Sequence, residues 1–595
     1  MKRFYLLFLA AVAALAVTAC GEKDDPTPGP GPGPEPASGT DPKMTTLTET
    51  SIAGTTLAAD VTLAGLITNT STGKGIAGVP VSDGFSWVKT DANGVYQMKA
   101  NSRARKVYIC TPAAYKIGQA SDGYPNFFPK SNIEAGKKFR VDFFLEPLAA
   151  AETDFRLLMI GDPQCATTGE VARYVSETIK KIKSTCEGMG NVYAMTLGDN
   201  IFDSNDTYYS VYSAMKNVNA GNWTIPFFVT IGNHDHDATK VSGSDHETMQ
   251  YTSLESYVKT FGPQDYSFDR GNVHVISMDN VWVKGTDSSS KSNKKTCTYS
   301  AGFSSSQLAW LQGDIANVSN PETKTVILCC HIPFRGGATN GSGSSMNKDK
   351  NYENTLKLLQ QFKEAHIMIG HTHYPQNYIH TEYKAAGGKP IYEHIHGAAC
   401  GGWWASNCNV TGAPNGFAIY TVSNGTVKNW QAMNSNFDND FQLRVYDGNQ
   451  EFTGSKGYKL SWNKSSQSVA GYPAPGFAAA SGAFVAEIWN DDTSNWKVEF
   501  WQNGAKVGDF RRAGDGGICN IPAVSFWYNV SGKTTDTYVN RTASHYWYYK
   551  PASGKPASET NWEVKAIQTV PTSGQTNTYT ANKLTTDYST FEKNK

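Results

Sequence analysis

The sequence predicts a multidomain fold: a central α/β domain with sheets flanked by helices, set between an N-terminal β-sandwich and a C-terminal β-rich domain. Three observations point there. Residues 61–147 hold short alternating strands punctuated by Gly, Asn and Asp; residues 154–385 alternate apolar runs with helical spacing; and from 386 to the end the chain is aromatic and strand-like. At 595 residues the chain has ample length for several domains.

Lys2 and Arg3 precede an apolar run from Phe4 to Val17, followed by Thr18-Ala19-Cys20. A charged start, a short apolar core and small residues before a cysteine resemble a bacterial lipoprotein signal over residues 1–20, with Cys20 lipidated. The apolar run is shorter than the roughly 20 residues that span a bilayer. The expectation is a protein lipid-anchored outside the cytoplasm, at the outer membrane on its periplasmic or cell-surface face. Residues 21–60 begin acidic and Pro/Gly-rich and read as a spacer and extended lead-in.

Strands are expected at Val61 to Ile67, Gly78 to Ser82, Thr90 to Tyr96 and Lys106 to Cys110, which make the small sandwich. From Asp154 the period changes. Phe155 to Ile160, Val192 to Leu197, Ile225 to Ile231, Val273 to Met278, Thr325 to Cys330 and Ile367 to Ile369 are apolar runs. Gly169 to Cys186, Ser304 to Ile315 and Tyr352 to Ala365 have helical spacing, with Ser304 placed to cap. Runs apolar on both faces suit parallel strands covered by helices. Polar stretches at 284–300 and 336–350 read as loops, the second a candidate substrate rim. In the last domain Val485 to Asn490 and Trp496 to Trp501 alternate as strands.

Lysine plus arginine equals aspartate plus glutamate at 53 each, so no overall field favours a nucleic-acid polymer. Beyond Cys20 there are nine cysteines without CxxC spacing, which excludes zinc-finger chemistry. In an oxidising compartment one or two disulfides are expected, with Cys400 and Cys408 the closest non-adjacent pair. Cys329 and Cys330 sit in an apolar run and read as buried.

Five polar clusters follow apolar strands: Gly161-Asp162-Pro163-Gln164, Gly198-Asp199-Asn200, Gly232-Asn233-His234-Asp235, His331-Ile332-Pro333 and Gly370-His371-Thr372-His373. Parallel strands that stop at one sheet edge gather such side chains around one crevice. Carboxylates mixed with imidazoles suit Mn, Fe, Zn or Mg, and a pair of ions needs a shared ligand, for which Asp199 is placed. Outside these clusters, His274 reads as a structural strand histidine, His236, Asp237 and His246 as solvated loop residues, and His394 and His396 as structural. Gly397 to Trp404, ending in tandem tryptophans, reads either as a wall of the crevice or as a plug between domains.

In this order and at these separations the five clusters resemble the calcineurin-like metallophosphoesterase superfamily. The terminal domains resemble a transthyretin-like or carboxypeptidase-regulatory-like sandwich and the β-domain that accompanies this phosphoesterase type. The resemblance implies two divalent metal ions: Asp162, Asp199 and His373 on one, Asp199, Asn233, His331 and His371 on the other, and His234 as proton donor to the leaving oxygen. The family's first cluster normally ends in histidine, where this chain has Gln164, a neutral and weaker candidate ligand. Asp203 lies one residue beyond the spacing of the family's usual histidine partner and carries no assigned role. The implied activity is hydrolysis of small phosphate monoesters or diesters. Alternatives are a phosphodiesterase for nucleotides or lipid head groups, and an inactive metal-bearing surface protein that binds glycans.

Overall fold

The computed structural model describes residues 40–592 apart from 121–123, 204–207, 209, 212–224, 288–294, 335–344, 347, 454–458, 470–471, 515–516 and 530–541. The signal segment with Cys20, the start of the spacer and most of the loop at 336–350 lie outside the described residues. Among the described residues no helix is long and apolar enough to cross a membrane.

Two sheets form the N-terminal layer pair. Lys43–Thr46, Phe139–Leu145, Leu63–Asn69 and Val95–Met98 make one, and Trp87–Lys89, Pro80–Ser82 and Tyr108–Ile109 the other. The first strand comes from the segment read as lead-in: Lys43–Thr46 pairs antiparallel with Phe139–Leu145, so the sheet begins earlier than residue 61. A four-residue edge strand has too little alternation to show in the sequence, and only its distant partner defines it. The sandwich core is continuous with that of the central domain. Trp87 packs against Trp310 with ring centroids 5.3 Å apart, and the Trp310 indole donates to Ser82 Oγ at 3.1 Å.

The central domain is two mixed sheets. Its strands are β1 (Asp154–Ile160), β2 (Val192–Leu197), β3 (Phe227–Thr230), β4 (Tyr266–Arg270), β5 (Val273–Ser277), β6 (Thr325–Cys329), β7 (Glu364–Ile369), β8 (Gln376–Lys384), β9 (Pro390–Ile395), β10 (Gly416–Ser423) and β11 (Thr426–Asn434). One sheet runs β3-β2-β1-β10-β11 and the other β4-β5-β6-β7-β9-β8. β1, β2 and β3 are mutually parallel, as are β5, β6, β7 and β9. Every residue of β2, β3, β5, β6 and β7 is buried, as expected for parallel strands covered on both faces.

Three strands beyond residue 385 complete these sheets. β9 pairs parallel with β7, and β10 lies antiparallel to β1 with Asp154 opposite Ser423. The α/β unit therefore extends to about residue 434, past the boundary at 385 expected from the sequence. The final domain packs Leu443–Asp447 and Phe484–Ile488 against Trp496–Gln502 and Trp562–Thr569 through Val445, Phe484, Val498, Phe500 and Val564, and adds a helix at Ile521–Asn529.

The first helical stretch starts at Thr168, where the Thr167 hydroxyl and the Glu170 carboxylate form a capping box, and runs to Cys186 through a π-helical segment at Val175–Ile179. Ser304 caps the helix Ser305–Ala316, with Gln307 completing its box. The third helix is shorter than its spacing suggests. It spans Glu353–Leu359, and Glu364 and Ala365 open β7 instead, because the Glu364 carboxylate accepts from Val427 N at 2.8 Å and lies 3.1 Å from His366 Nε2. The stretch read as a loop at 284–300 is in its described part a hairpin, Val281–Asp287 against Thr296–Ala301.

The nine cysteines from Cys110 to Cys519 are buried and form no disulfide among the described residues, which corrects the expectation of one or two bridges, for which Cys400 and Cys408 were the closest non-adjacent pair. Cys400 Sγ faces Gln164 Oε1 at 3.9 Å, and Cys408 Sγ lies 3.6 Å from Ser406 Oγ. His236 and Asp237 are buried rather than solvated: His236 bonds Ser253 Oγ at 2.8 Å and lies 3.3 Å from Asp279. His246 is half-buried and stacks on Trp282 with centroids 3.5 Å apart. His274 is structural, bracketed by Asp269 at 2.7 Å and Asp314 at 2.9 Å. Burial opposes its charge, but the two carboxylates, Asp314 foremost, hold its pKa up to about 10.

Candidate metal centre

The five polar clusters sit at the C-terminal ends of β1, β2, β3, β6 and β7, and the two sheets bring those ends together. His331 is the hub. Its Nδ1 donates to the Leu197 carbonyl at 2.7 Å, which turns Nε2 inward. Around that nitrogen stand Asn233 Oδ1 at 3.0 Å, His371 Nδ1 at 3.1 Å and Asp199 Oδ2 at 3.2 Å.

Four electron-pair donors converge there, and a single proton satisfies only one of the contacts. A cation satisfies all of them. Asp199, His331 and His371 present ligand atoms within 4.8 Å of one another, and so do Asp162, Asp199 and His373, with Asp199 common to both groups. His373 Nε2 lies 3.5 Å from Asp162 Oδ1, and the His371 backbone N–H donates to both oxygens of Asp162 at 2.9 and 3.0 Å.

Electrostatics agree with a cation-binding set. Burial raises the Asp162 carboxyl to about 8, with the neighbouring Asp199 charge adding to the shift. Asp199 is opposed by the same burial yet held below the usual carboxylate range by His331 and His234. Burial and the adjacent His331 push His371 well down, so it stays neutral and able to ligate. Burial opposes charge on His331, but Asp199 raises it to about 9, so binding a metal would displace a proton from this set.

Glycines let the donors approach. A Cβ on Gly370 would stand 2.7 Å from Asp162 Oδ2, and one on Gly198 or Gly232 would overlap the His331 ring or the Asp199 carboxylate. Gly232 is itself extended, at φ −124° and ψ −179°, so close approach and not an unusual turn is what requires glycine there. The strain lies on the functional residues. Asp162, Gln164, Asp199, Asp203, His371 and His373 all have positive φ, from 41° to 69°. For non-glycine residues such conformations cost about 1–3 kcal/mol each and cluster at active sites.

His234 stands apart from the donor groups. Its backbone N–H donates to Asp199 Oδ1 at 2.8 Å, its Nε2 lies 4.0 Å from Asp199 Oδ2, and its side chain keeps 24% exposure. Asp203 Oδ1 meets its Nδ1 at 2.9 Å, so the residue left without a role in the sequence is the partner of this histidine. Burial opposes charge on His234, but Asp199 and then Asp203 raise it to about 9. Asp235 supports the loop, accepting from Gly232 N, Asn200 N and Ile201 N at 2.8 to 3.0 Å.

Gln164 is in the cluster, but its Nε2 faces Asp199 Oδ2 at 3.3 Å while Oε1 faces Cys400. Ligation through Oε1 requires the amide to turn over. The Trp-Trp turn divides its duties. The Trp403 ring lies 5.2 Å from that of His373, at the wall of the crevice. Trp404 is buried with its indole donating to Pro163 O at 3.0 Å, its carbonyl accepting from Arg173, and Gly402 against Trp527, which is the plug. His394 bonds His366 and Asn377, and His396 bonds Ile369 O and Tyr420, so both are structural.

Three family models match the chain in succession: "N terminal of Calcineurin-like phosphoesterase" over residues 61–148, "Calcineurin-like phosphoesterase" over 155–375 and "C terminal of Calcineurin-like phosphoesterase" over 393–572. The chain belongs to the calcineurin-like phosphoesterases and is an enzyme of that class. Among solved structures it is similar to PhoD, at 10% identity and TM-score 0.32 over 72% of this chain and 86% of that one. It is also similar to the NAD nucleotidase NadN of Haemophilus influenzae, at 12% identity and TM-score 0.26 over 52% and 54%. A protein serine/threonine phosphatase of Saccharomyces cerevisiae follows at 11% identity and TM-score 0.20 over 46% and 73%. Likenesses this distant carry no argument about substrate. No curated protein matches.

Proposed function

We propose that this enzyme hydrolyses small phosphate monoesters or diesters with two divalent cations, and that His234 protonates the leaving oxygen. Asp162, Asp199 and His373 would hold one cation, and Asp199, Asn233, His331 and His371 the other. Mn, Fe, Zn or Mg would supply the Lewis acidity that lowers the pKa of water and neutralises the phosphoryl group.

The observation that carries the reading is the position of His234 beside Asp199, the residue shared by both donor groups. Asp203 fixes the Nδ1–H, so Nε2 presents the transferable proton. In-line displacement leaves an alkoxide on the face opposite the attacking water, and a proton delivered there removes the cost of expelling it. The backbone bond from His234 N to Asp199 Oδ1 ties the proton donor to the residue that positions the cations.

Phosphate release from nitrophenyl phosphate and bis(nitrophenyl) phosphate by the metal-loaded chain tests the activity and separates monoester from diester preference. No release from a broad ester panel would defeat the reading. The same proposal places the enzyme outside the cytoplasm on a lipid anchor at Cys20, supported by the Lys2 to Cys20 sequence pattern. Palmitate labelling that persists in Cys20→Ser would contradict it.

A further inference from the structure

Three aromatic side chains stand around the metal centre, each against a different histidine. Phe202 packs at a tilt against His234 with ring centroids 4.5 Å apart, Trp403 likewise against His373 at 5.2 Å, and Tyr299 meets His371 edge-on at 6.2 Å. They come from three separate segments: the turn after β2, the loop before β10, and the hairpin Val281–Ala301.

Aromatic rings that only fill the core are buried here, as Phe228, Phe268 and Trp310 are. Phe202, Tyr299 and Trp403 are each partly exposed. Trp403 is also held at φ 50°, a conformation a bulky side chain rarely adopts, and the anchored Trp404 beside it maintains that turn. A phosphate seated among the donors of both groups would have these rings beside it.

We infer that this rim is a subsite for the organic part of the ester, selecting planar aromatic groups, aryl or nucleobase, over saturated groups of equal size. The inference rests on the phosphoesterase reading above. Ring faces reward a flat π-system beyond the area it buries, whereas a puckered ring gains the area alone. Three partly exposed rings, each against a histidine of the cluster, offer such a group aromatic surface beside the donors.

The test compares benzyl phosphate with cyclohexylmethyl phosphate on the Mn²⁺-loaded full chain. Both are esters of primary alcohols with the same carbon count and differ in the planarity of the ring. The expected result is kcat/KM about tenfold higher for the benzyl ester, expressed mainly in KM. That ratio should fall toward one in Phe202→Leu and in Trp403→Asn, where asparagine tolerates the left-handed backbone. Calorimetric binding of benzylphosphonate and cyclohexylmethylphosphonate reads the same preference without turnover. Equal turnover and equal binding of the two in the wild type overturns the subsite while leaving the phosphoesterase reading in place, as does a ratio unchanged in both variants. Preferential phosphonate binding with no ester hydrolysed would support the subsite and defeat the reading of the reaction.

Discussion

Asp203 Oδ1 lies 2.9 Å from His234 Nδ1, while His234 Nε2 lies 4.0 Å from Asp199 Oδ2, and this bond fixes which nitrogen would face the phosphoryl group in the proposed reaction. Replacing His234 by Asn should cut turnover of alkyl phosphates by about 10²- to 10⁴-fold and that of nitrophenyl esters far less, since only the poor leaving group needs the proton. Asp203→Asn should give a smaller loss with the same dependence on leaving group. Metal content measured by mass spectrometry should be unchanged in both. Equal losses on both ester types would remove His234 from the role of proton donor.

Gly232→Ala should abolish activity without unfolding the protein. The added methyl has backbone room in φ and ψ but overlaps the Asp199 backbone and carboxylate. Metal affinity and kcat should both fall by more than tenfold while the thermal midpoint moves by a few degrees at most. Wild-type metal binding in this variant would mean that the close packing on Asp199 is not needed.

Gln164 serves Asp199 as a hydrogen-bond donor in this arrangement. Gln164→Ala should therefore keep the full metal count and weaken metal affinity by less than tenfold, while Asp162→Asn should lose a metal. Loss of a cation from Gln164→Ala would identify the amide oxygen as a ligand after all.

His274 makes a pH-dependent contribution to stability. Its folded pKa, raised to about 10 by Asp314 and Asp269 against the opposing effect of burial, lies above the ordinary value of 6.5. The stabilisation is therefore fully present below about pH 6.5 and is lost as pH rises through about 10, amounting to on the order of 3 to 5 kcal/mol. Urea midpoints measured from pH 6 to 10 should decline more steeply in the wild type than in His274→Gln. Parallel slopes would show that the ion pairs do not couple to folding.

The nine cysteines between Cys110 and Cys519 should all titrate as thiols when the protein is unfolded without reductant, and none should react rapidly in the folded state. Two fewer in the unfolded count would reveal a disulfide.

The convergence of Asp162, Asp199, Asn233, His331 and His371 was legible in the sequence because each follows a buried parallel strand, and a glycine before all but His331 is a local signal. Ser304 was legible as a cap for the same reason. Asp203 was not, since its claim on His234 depends on the path of the turn after β2 and not on spacing. The left-handed backbones of Asp162, Asp199 and His371 leave no mark in composition. Pairing across sheets was equally hidden: Lys43–Thr46, β9 and β10 find partners dozens to hundreds of residues away, so a reading by local pattern leaves these strands outside the sheets they join. His236 looked solvated because its neighbours are polar, yet Asp279 and Ser253 enclose it.

The central claim is that a pair of cations shares Asp199, and titrating the chelated full chain with Mn²⁺ while following bound metal and phosphate release tests it most directly. The account predicts two equivalents bound per chain, activity that appears as both sites fill, and loss of binding at both sites in Asp199→Asn. Hydrolysis that survives chelation, or an Asp199→Asn protein that binds two equivalents with wild-type affinity, would contradict it.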